Sequence, residues 1–334
     1  MTRTPSKRAS RRSRRKRRAG RHSRRRRRSA LFDVIGVGAN SVDLVYRLPA
    51  YPAPDGPLAK LRISGHERSP GGQTATALAT CAALGLRAAY AGVLSKDHNG
   101  DFLHAALGRR GIDLRHVVRH DAPNAFAVIL VAEEAGERIV LWDRDSRLLL
   151  AQGEIPADTI RSARILHVDD VDVEAAIAAA GIARAAGVPS TSDIEAVRER
   201  TDALVDAVSI PIFAEHVPPA LTREQDLERA LRALRRRHDG LLCVTLGPRG
   251  ASLLDGDRFV HQAAFDVHAV DTTGAGDVFR GAFIYSRLRG DDAAATLRFA
   301  NAAAALSCTR RGAVASVPSL ADVEAFLKTA RLRN

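Results

Sequence analysis

Asp271-Thr272-Thr273-Gly274-Ala275-Gly276-Asp277 runs directly into a helical pattern over 278–289, and this junction decides how the rest of the chain is read. The small residues Gly274, Ala275 and Gly276 let the backbone turn tightly, so that successive N–H groups point at one ligand. The helix N-terminus that follows adds partial positive charge, and together these favour a phosphate-like anion. Asp277 stands in the first turn, placed to take a proton from a hydroxyl as that hydroxyl attacks phosphorus. Phosphoryl transfer asks chiefly for positioning, charge stabilisation and one proton acceptor. A plain glycine turn capped by aspartate would carry the same letters, because Asp is a good N-cap.

Outward from the junction, strand and helix signals alternate. Asp33-Val34-Ile35-Gly36-Val37-Gly38 reads as a buried first strand, and further strands are expected over 88–94, 165–169, 189–193, 207–211, 241–246 and 251–254. Helical runs over 72–84, 99–110, 173–186, 224–237, 276–288 and 293–307 lie among them. Such alternation predicts an α/β fold, a mainly parallel sheet with helices on both faces. Two stretches depart from it. Residues 125–132 and 138–142 flank Glu133-Glu134-Ala135-Gly136-Glu137 in a hairpin pattern. Residues 45–63, with four prolines, read as extended chain without helix.

A second glycine motif, Gly71-Gly72-Gln73-Thr74-Ala75-Thr76-Ala77, opens an Ala-rich run ending at Leu84-Gly85. The segment 89–94 follows, then Asp97, Gly100, Phe102 and Gly111-Ile112-Asp113. In this order, with the 271–277 junction near the C-terminal end, the chain resembles the ribokinase-like (PfkB-type) carbohydrate kinases from about 32 to 327. The resemblance implies ATP as phosphoryl donor, magnesium with it, and a sugar primary hydroxyl as acceptor. It also implies a ribokinase-like sheet sandwiched by helices, with a small β-sheet lid from about 45–66 and 124–143. In the family that lid often makes a dimer contact, so a homodimer is expected.

Residue by residue, the resemblance gives Asp277 as base and Gly274, Ala275 and Gly276 as anion hole. Asp43 follows the first strand, where open α/β sheets bind ligands; it matches the family's substrate-binding aspartate, and a solvated loop Asp is the plain alternative. Gly71 and Gly72 let backbone approach the sugar, and Thr76 stands where many members have Asn. That departure, with Gly136-Glu137-Arg138, is similar to the ketohexokinase and sulfofructose kinase branch. Arg138 then either reaches an anionic or hydroxyl-rich end of the substrate or stays a solvated hairpin charge. Thr245, Gly247 and Gly250, in a strand–turn–strand stretch, and Asn301 match positions near the nucleotide. The family's Asn-x-x-Glu motif aligns with Ala214-Glu215-His216-Val217, where neither end residue is kept; Glu215 remains as an acid for magnesium through water. Asp271, Thr273, Ser307 and Gly312 fall near the loop pair that binds a monovalent cation, potassium, in many members. Gly36-Val37-Gly38 lacks the third glycine of a dinucleotide fingerprint, with Ser41 in its place.

The chain has 334 residues, 46% hydrophobic, room for one large α/β domain or two modest ones. Its formal charge of +13 is confined to one end: residues 1–30 hold 16 Lys or Arg and no acid, leaving a net −3 over residues 31–334. Such a tail has too little apolar surface to offset ordering entropy and is expected to be disordered. Three readings of it stay open: binding RNA, DNA or anionic lipid through phosphates, a targeting segment, against which the missing apolar stretch argues, and a functionless upstream extension. Cys81, Cys243 and Cys308 are isolated, which fits a reducing cytosol, and no long apolar run suggests a membrane span. The expectation is therefore a cytoplasmic ATP-dependent sugar kinase occupying 31–334. A nucleoside kinase of the same family and a catalytically silent sugar-binding regulator are the alternatives.

Overall fold

The computed structural model describes residues 1–2, 30–132 and 138–333. The Arg-rich tail, apart from its ends, and the hairpin loop 133–137 lie outside the described residues. Along the chain come β1 (Val34–Val37), β2 (Ser41–Leu48), β3 (Gly65–Gly71), α1 (Gln73–Ala83), β4 (Ala88–Ala91), β5 (Val93–Ser95), α2 (His98–Arg109), β6 (Val118–His120), β7 (Phe126–Ala132) and β8 (Arg138–Asp143). Then follow α3 (Ala157–Ser162), β9 (Ile165–Asp169), α4 (Val173–Ala185), β10 (Ser190–Ile194), α5 (Thr201–Ala207), β11 (Ile210–Ala214), α6 (Val217–Thr222) and α7 (Leu227–Arg235). The last part holds β12 (Leu242–Thr245), β13 (Ala251–Asp255), β14 (Arg258–Gln262), α8 (Ala275–Arg289), α9 (Ala293–Cys308) and α10 (Leu320–Thr329).

Eight strands form the central sheet in the order β14-β13-β12-β11-β10-β9-β1-β4. Pairing is parallel from β4 through β12 and antiparallel only at β13 and β14. Each face is covered by helices. Val34, Leu78, Val278, Phe283 and Leu297 share one core, while Ile35, Ile160, Ala176, Leu204 and Leu231 share the other. Successive residues of β1 thus feed opposite cores, which is why the strand is apolar at every position rather than alternating. A second sheet has the order β3-β2-β7-β8, and β5 pairs with β6 by itself.

The sequence signals are displaced at several points. The run 88–94 divides at Gly92: β4 stays in the central sheet and β5 leaves it for β6. The strand expected over 207–211 begins at Ile210, because 201–207 form α5, which buries Leu204 and Val205. The stretch 45–63 is not uniformly extended; Pro57 starts a short 3-10 turn at Gly56–Ala59. Strands β3, β6 and β14 and helices α3, α5, α6 and α10 carried no sequence expectation. No helix among the described residues is long and apolar enough to cross a membrane.

The packing of α1 against α8 places the two glycine motifs side by side. A Cβ on Gly281 would lie 2.5 Å from the Ala77 carbonyl oxygen, so here the helices meet backbone to backbone. The alanines of α1 permit that approach, with Ala75, Ala77 and Ala79 fully buried.

Candidate active site

Helix α8 starts on Gly274, whose φ of +75° suits glycine, and no side chain caps it. Ala275 N–H donates to Thr272 O and Val278 N–H to Gly274 O. Among the described residues the Gly276 and Asp277 amides meet no backbone acceptor, so the first turn keeps open donors. Asp277 is 9% exposed, and burial raises its pKa to about 8, against the nearby Arg280 charge that lowers it. Carboxylate oxygens of Asp277, Asp193 and Glu195 all lie within 4.8 Å of one another.

The N-terminus of α1 reaches the same turn. The methyl of Thr76 would be 3.4 Å from a Cβ on Gly274. Asp43 on β2 pairs in register with Ser69 on β3, and its carboxylate fills the space a side chain at Gly71 would need. Burial lifts the Asp43 pKa to about 6, which the Ser41 hydroxyl opposes and Asp271 reinforces. Ser69 Oγ, Gln73 Oε1 and Thr76 Oγ1 are buried without a hydrogen-bond partner among the described residues. Orphaned polar atoms at such a place are open to a polar ligand.

On the other flank lies a cleft of about 460 Å³, lined by Arg138, Thr245, Gly247, Gly276, Asn301 and Cys308 among others. Gly250 also lines it, but with φ +97° and a Cβ position only 2.0 Å from Gln262 O its glycine is accounted for by backbone packing. Asn301 Nδ2 donates to Gln262 O at 2.9 Å, so its amide also holds the cleft wall. Arg138, expected over the sugar, donates instead to the Thr272 hydroxyl and faces this cleft.

Glu215 is half exposed and ion-paired with Arg249, apart from the acid cluster. The acids that converge are Asp193, at the C-terminal end of β10, and Glu195 just beyond it. Asp193 is also ion-paired with Arg280, and with Glu195 and Asp277 it gathers the carboxylate oxygens that a divalent cation takes as ligands. In the loops expected to hold a monovalent cation, the Asp271 and Ser307 side chains are engaged locally. Asp271 accepts from the Thr273 and Gly312 amides, both at 2.9 Å, and Ser307 Oγ donates to Ala304 O. Burial works against the Asp271 carboxylate, but those amides and the Thr273 hydroxyl hold its pKa below the usual range. Asp271 therefore staples two loops together, and Thr273 and Gly312 supply the amides.

Asp193, Glu195 and Arg280 carried no sequence expectation. The first two had a usable signal, an acid at the carboxyl end of an expected strand. Arg280 had one too, a charge within the apolar run Val278 to Ile284.

A family model described as pfkB family carbohydrate kinase matches residues 39–320. The chain is 30% identical over 296 residues to an ATP-dependent ribose-1-phosphate kinase of Halopiger xanaduensis, covering 88% of this chain and 97% of that one. It is 28% identical to fructokinase-1 of Zea mays over 289 residues, 79% of this chain and 90% of the other. Ribokinase from Thermotoga maritima superposes with a TM-score of 0.77 at 25% identity, covering 89% of this chain and all of that one (100%).

Proposed function

We propose, on the premise that this chain belongs to the pfkB family of carbohydrate kinases, that it transfers the terminal phosphoryl group of ATP to a primary hydroxyl of a sugar. The observation that carries the reading is the open N-terminus of α8, with a buried carboxylate in its first turn and the 460 Å³ cleft beside it. The sugar lies against Asp43, Gly71 and Gly72, its hydroxyls meeting Ser69, Gln73 and Thr76. Its reacting hydroxyl faces Asp277, which accepts the proton as the oxygen attacks phosphorus. The nucleotide occupies the cleft along Thr245, Gly247 and Asn301. Backbone amides at Gly274–Gly276 meet the charge that develops on the transferring group.

ATP use is supported by the likeness to the ATP-dependent ribose-1-phosphate kinase of Halopiger xanaduensis. Magnesium brought by ATP would be held by Asp193 and Glu195. When bound, it offsets charge on the phosphates. The sheet β3-β2-β7-β8 serves as a lid that keeps water from the transferring group. Its edge strand β8 exposes Ile139, Val140, Leu141 and Trp142, the last at 72%, which supports a second copy of the chain as partner.

A phosphosugar or other anionic sugar is the second reading, favoured by Arg138 beside Thr272 and by the ribose-1-phosphate kinase likeness. A coupled assay for ADP release over ketoses, aldoses, sulfosugars, phosphosugars and nucleosides tests both. Turnover on a sugar is the expected result. Turnover on nucleosides alone, or binding of sugars with no turnover at all, would overturn it in favour of a nucleoside kinase or a silent regulator.

A further inference from the structure

Every residue of α8 from Val278 to Ile284 is buried, and among them is Arg280, 1% exposed. Its guanidinium is ion-paired with Asp193 of β10, both side chains essentially out of solvent. Cys243 from β12, His167 from β9, and Glu195 and Asp277 complete its charged and titratable surroundings. The pair is incompletely satisfied: Arg280 Nε lacks a hydrogen-bond partner among the described residues. A buried ion pair of that kind is a weak source of stability, and apolar residues of similar volume often serve as well or better.

The geometry offers another account. A Cβ on Gly276 would come within 2.6 Å of Arg280 Nη1, so the guanidinium packs directly against the turn whose amides stand open. Gly276 does not have a positive φ, so here it is the guanidinium and not the backbone that excludes a side chain. Three carboxylates, Asp193, Glu195 and Asp277, converge beside this turn, while the cation Arg138 faces it across the cleft from an exposed strand.

We propose that Arg280 is a positioning residue for phosphoryl transfer: from behind Gly276 it holds a fixed positive charge that lets nucleotide phosphates approach the open turn past the three carboxylates Asp193, Glu195 and Asp277. The inference rests on the kinase reading above. Arg280 touches no phosphate. It acts across the turn, where exclusion of water keeps its field strong, and it requires no reorganisation when the ligand arrives. Magnesium enters with the nucleotide, whereas Arg280 is part of the fold.

The test is calorimetric titration of wild type, Arg280→Met and Arg280→Lys with AMP, ADP and ATP in magnesium buffer, alongside kcat and sugar KM. The Met variant should lose roughly tenfold or more in ATP affinity and in kcat. ADP should lose less, AMP and sugar KM should hold, and Lys should restore part of the loss. A folded Met variant with wild-type ATP affinity and kcat overturns the proposal, as does a loss equal for AMP, ADP and ATP. Should Arg280→Met not fold, Arg280→Lys decides: ATP affinity kept near wild type, or a partial loss that grows from AMP to ATP, supports the charge, and a loss independent of phosphate count overturns it. Wild-type protein that binds no ATP would instead overturn the kinase reading itself.

Discussion

Helices α1 and α8 both begin after a glycine of positive φ, Gly72 at +99° and Gly274 at +75°, and neither has a side-chain cap of its own. At α1 the protein itself fills the helix end. Asp169 accepts from the Thr74 amide at 3.3 Å and its hydroxyl at 2.7 Å, while Ala39 O accepts from the Ala75 amide. At α8 the Gly276 and Asp277 amides stay open among the described residues. Helices α2, α7, α9 and α10 are capped by Asp97, Asp226, Asp292 and Ser319 from within the local chain. A helix end closed by a carboxylate is structure. One left open beside a cleft is a place for a foreign anion.

The sharpest way to break this contrast is Asp277→Asn, which keeps size and leaves the turn intact. Turnover should fall by roughly 10²–10⁴ while the fold persists; near-normal kcat would remove Asp277 as the base. The same variant carries a pH signature. Burial raises the folded pKa of Asp277 to about 8, above the 3.8 of a free side chain. The proton it holds favours the folded state below pH 3.8, and that contribution is lost as pH rises to about 8. Asn has no such loss. Thermal melts should therefore show Asp277→Asn gaining on wild type as pH rises from 4 toward 8, and parallel curves would contradict the buried carboxylate.

Arg138 extends the contrast, since it brings a cation from β8 to the open helix end. Its charge-assisted pairing with an anionic substituent is worth about 1.5–3 kcal/mol. Arg138→Ala should then raise KM strongly for a sulfo- or phosphosugar and little for a neutral ketose. Equal, small effects on the two would leave Arg138 a solvated hairpin residue.

At α1 the opposite pattern is expected. Asp169→Asn replaces one acceptor oxygen with a donor facing groups that need an acceptor, because Asp169 also receives the Ala39 and Val171 amides. Unfolding should be easier by about 1–3 kcal/mol. An unchanged denaturation midpoint would show that α1 does not depend on this borrowed cap. The smallest effect is expected from deleting residues 1–30, which should leave melting temperature and kinetics unaltered. Salt-sensitive RNA or DNA binding, if the full chain has it, should vanish with them. A deleted protein that fails to fold would make the tail part of the domain.

The central strands and the long helices were legible because their signals are local: apolar runs, an alanine-rich face, and glycines at two helix starts. The antiparallel pairing of β7 with β8 was legible for the same reason. Strand β3 was not, since its residues Gly65–Gly71 include Pro70 and several polar side chains and gain strand form only by pairing with β2. Of the expected site residues, the structure gathers Asp277, Gly274, Gly276 and Thr76 at one turn and Arg138, Thr245, Gly247 and Asn301 along one cleft. Glu215 it leaves elsewhere.

The amino-acid sequence by itself determined the α/β class, the two glycine-led helix starts, and Asp277 in the first turn of the second, all properties of short stretches of chain. Only the tertiary structure decided which helix end stays open. The carboxylate that closes α1 comes from 95 residues further along, delivered because β9 lies beside β1 in the sheet. The same holds for Asp193 and Arg280, set together because β10 runs beneath α8. Strand order settles such meetings, and strand order follows from how whole layers bury their apolar faces, which no local spacing of residues encodes.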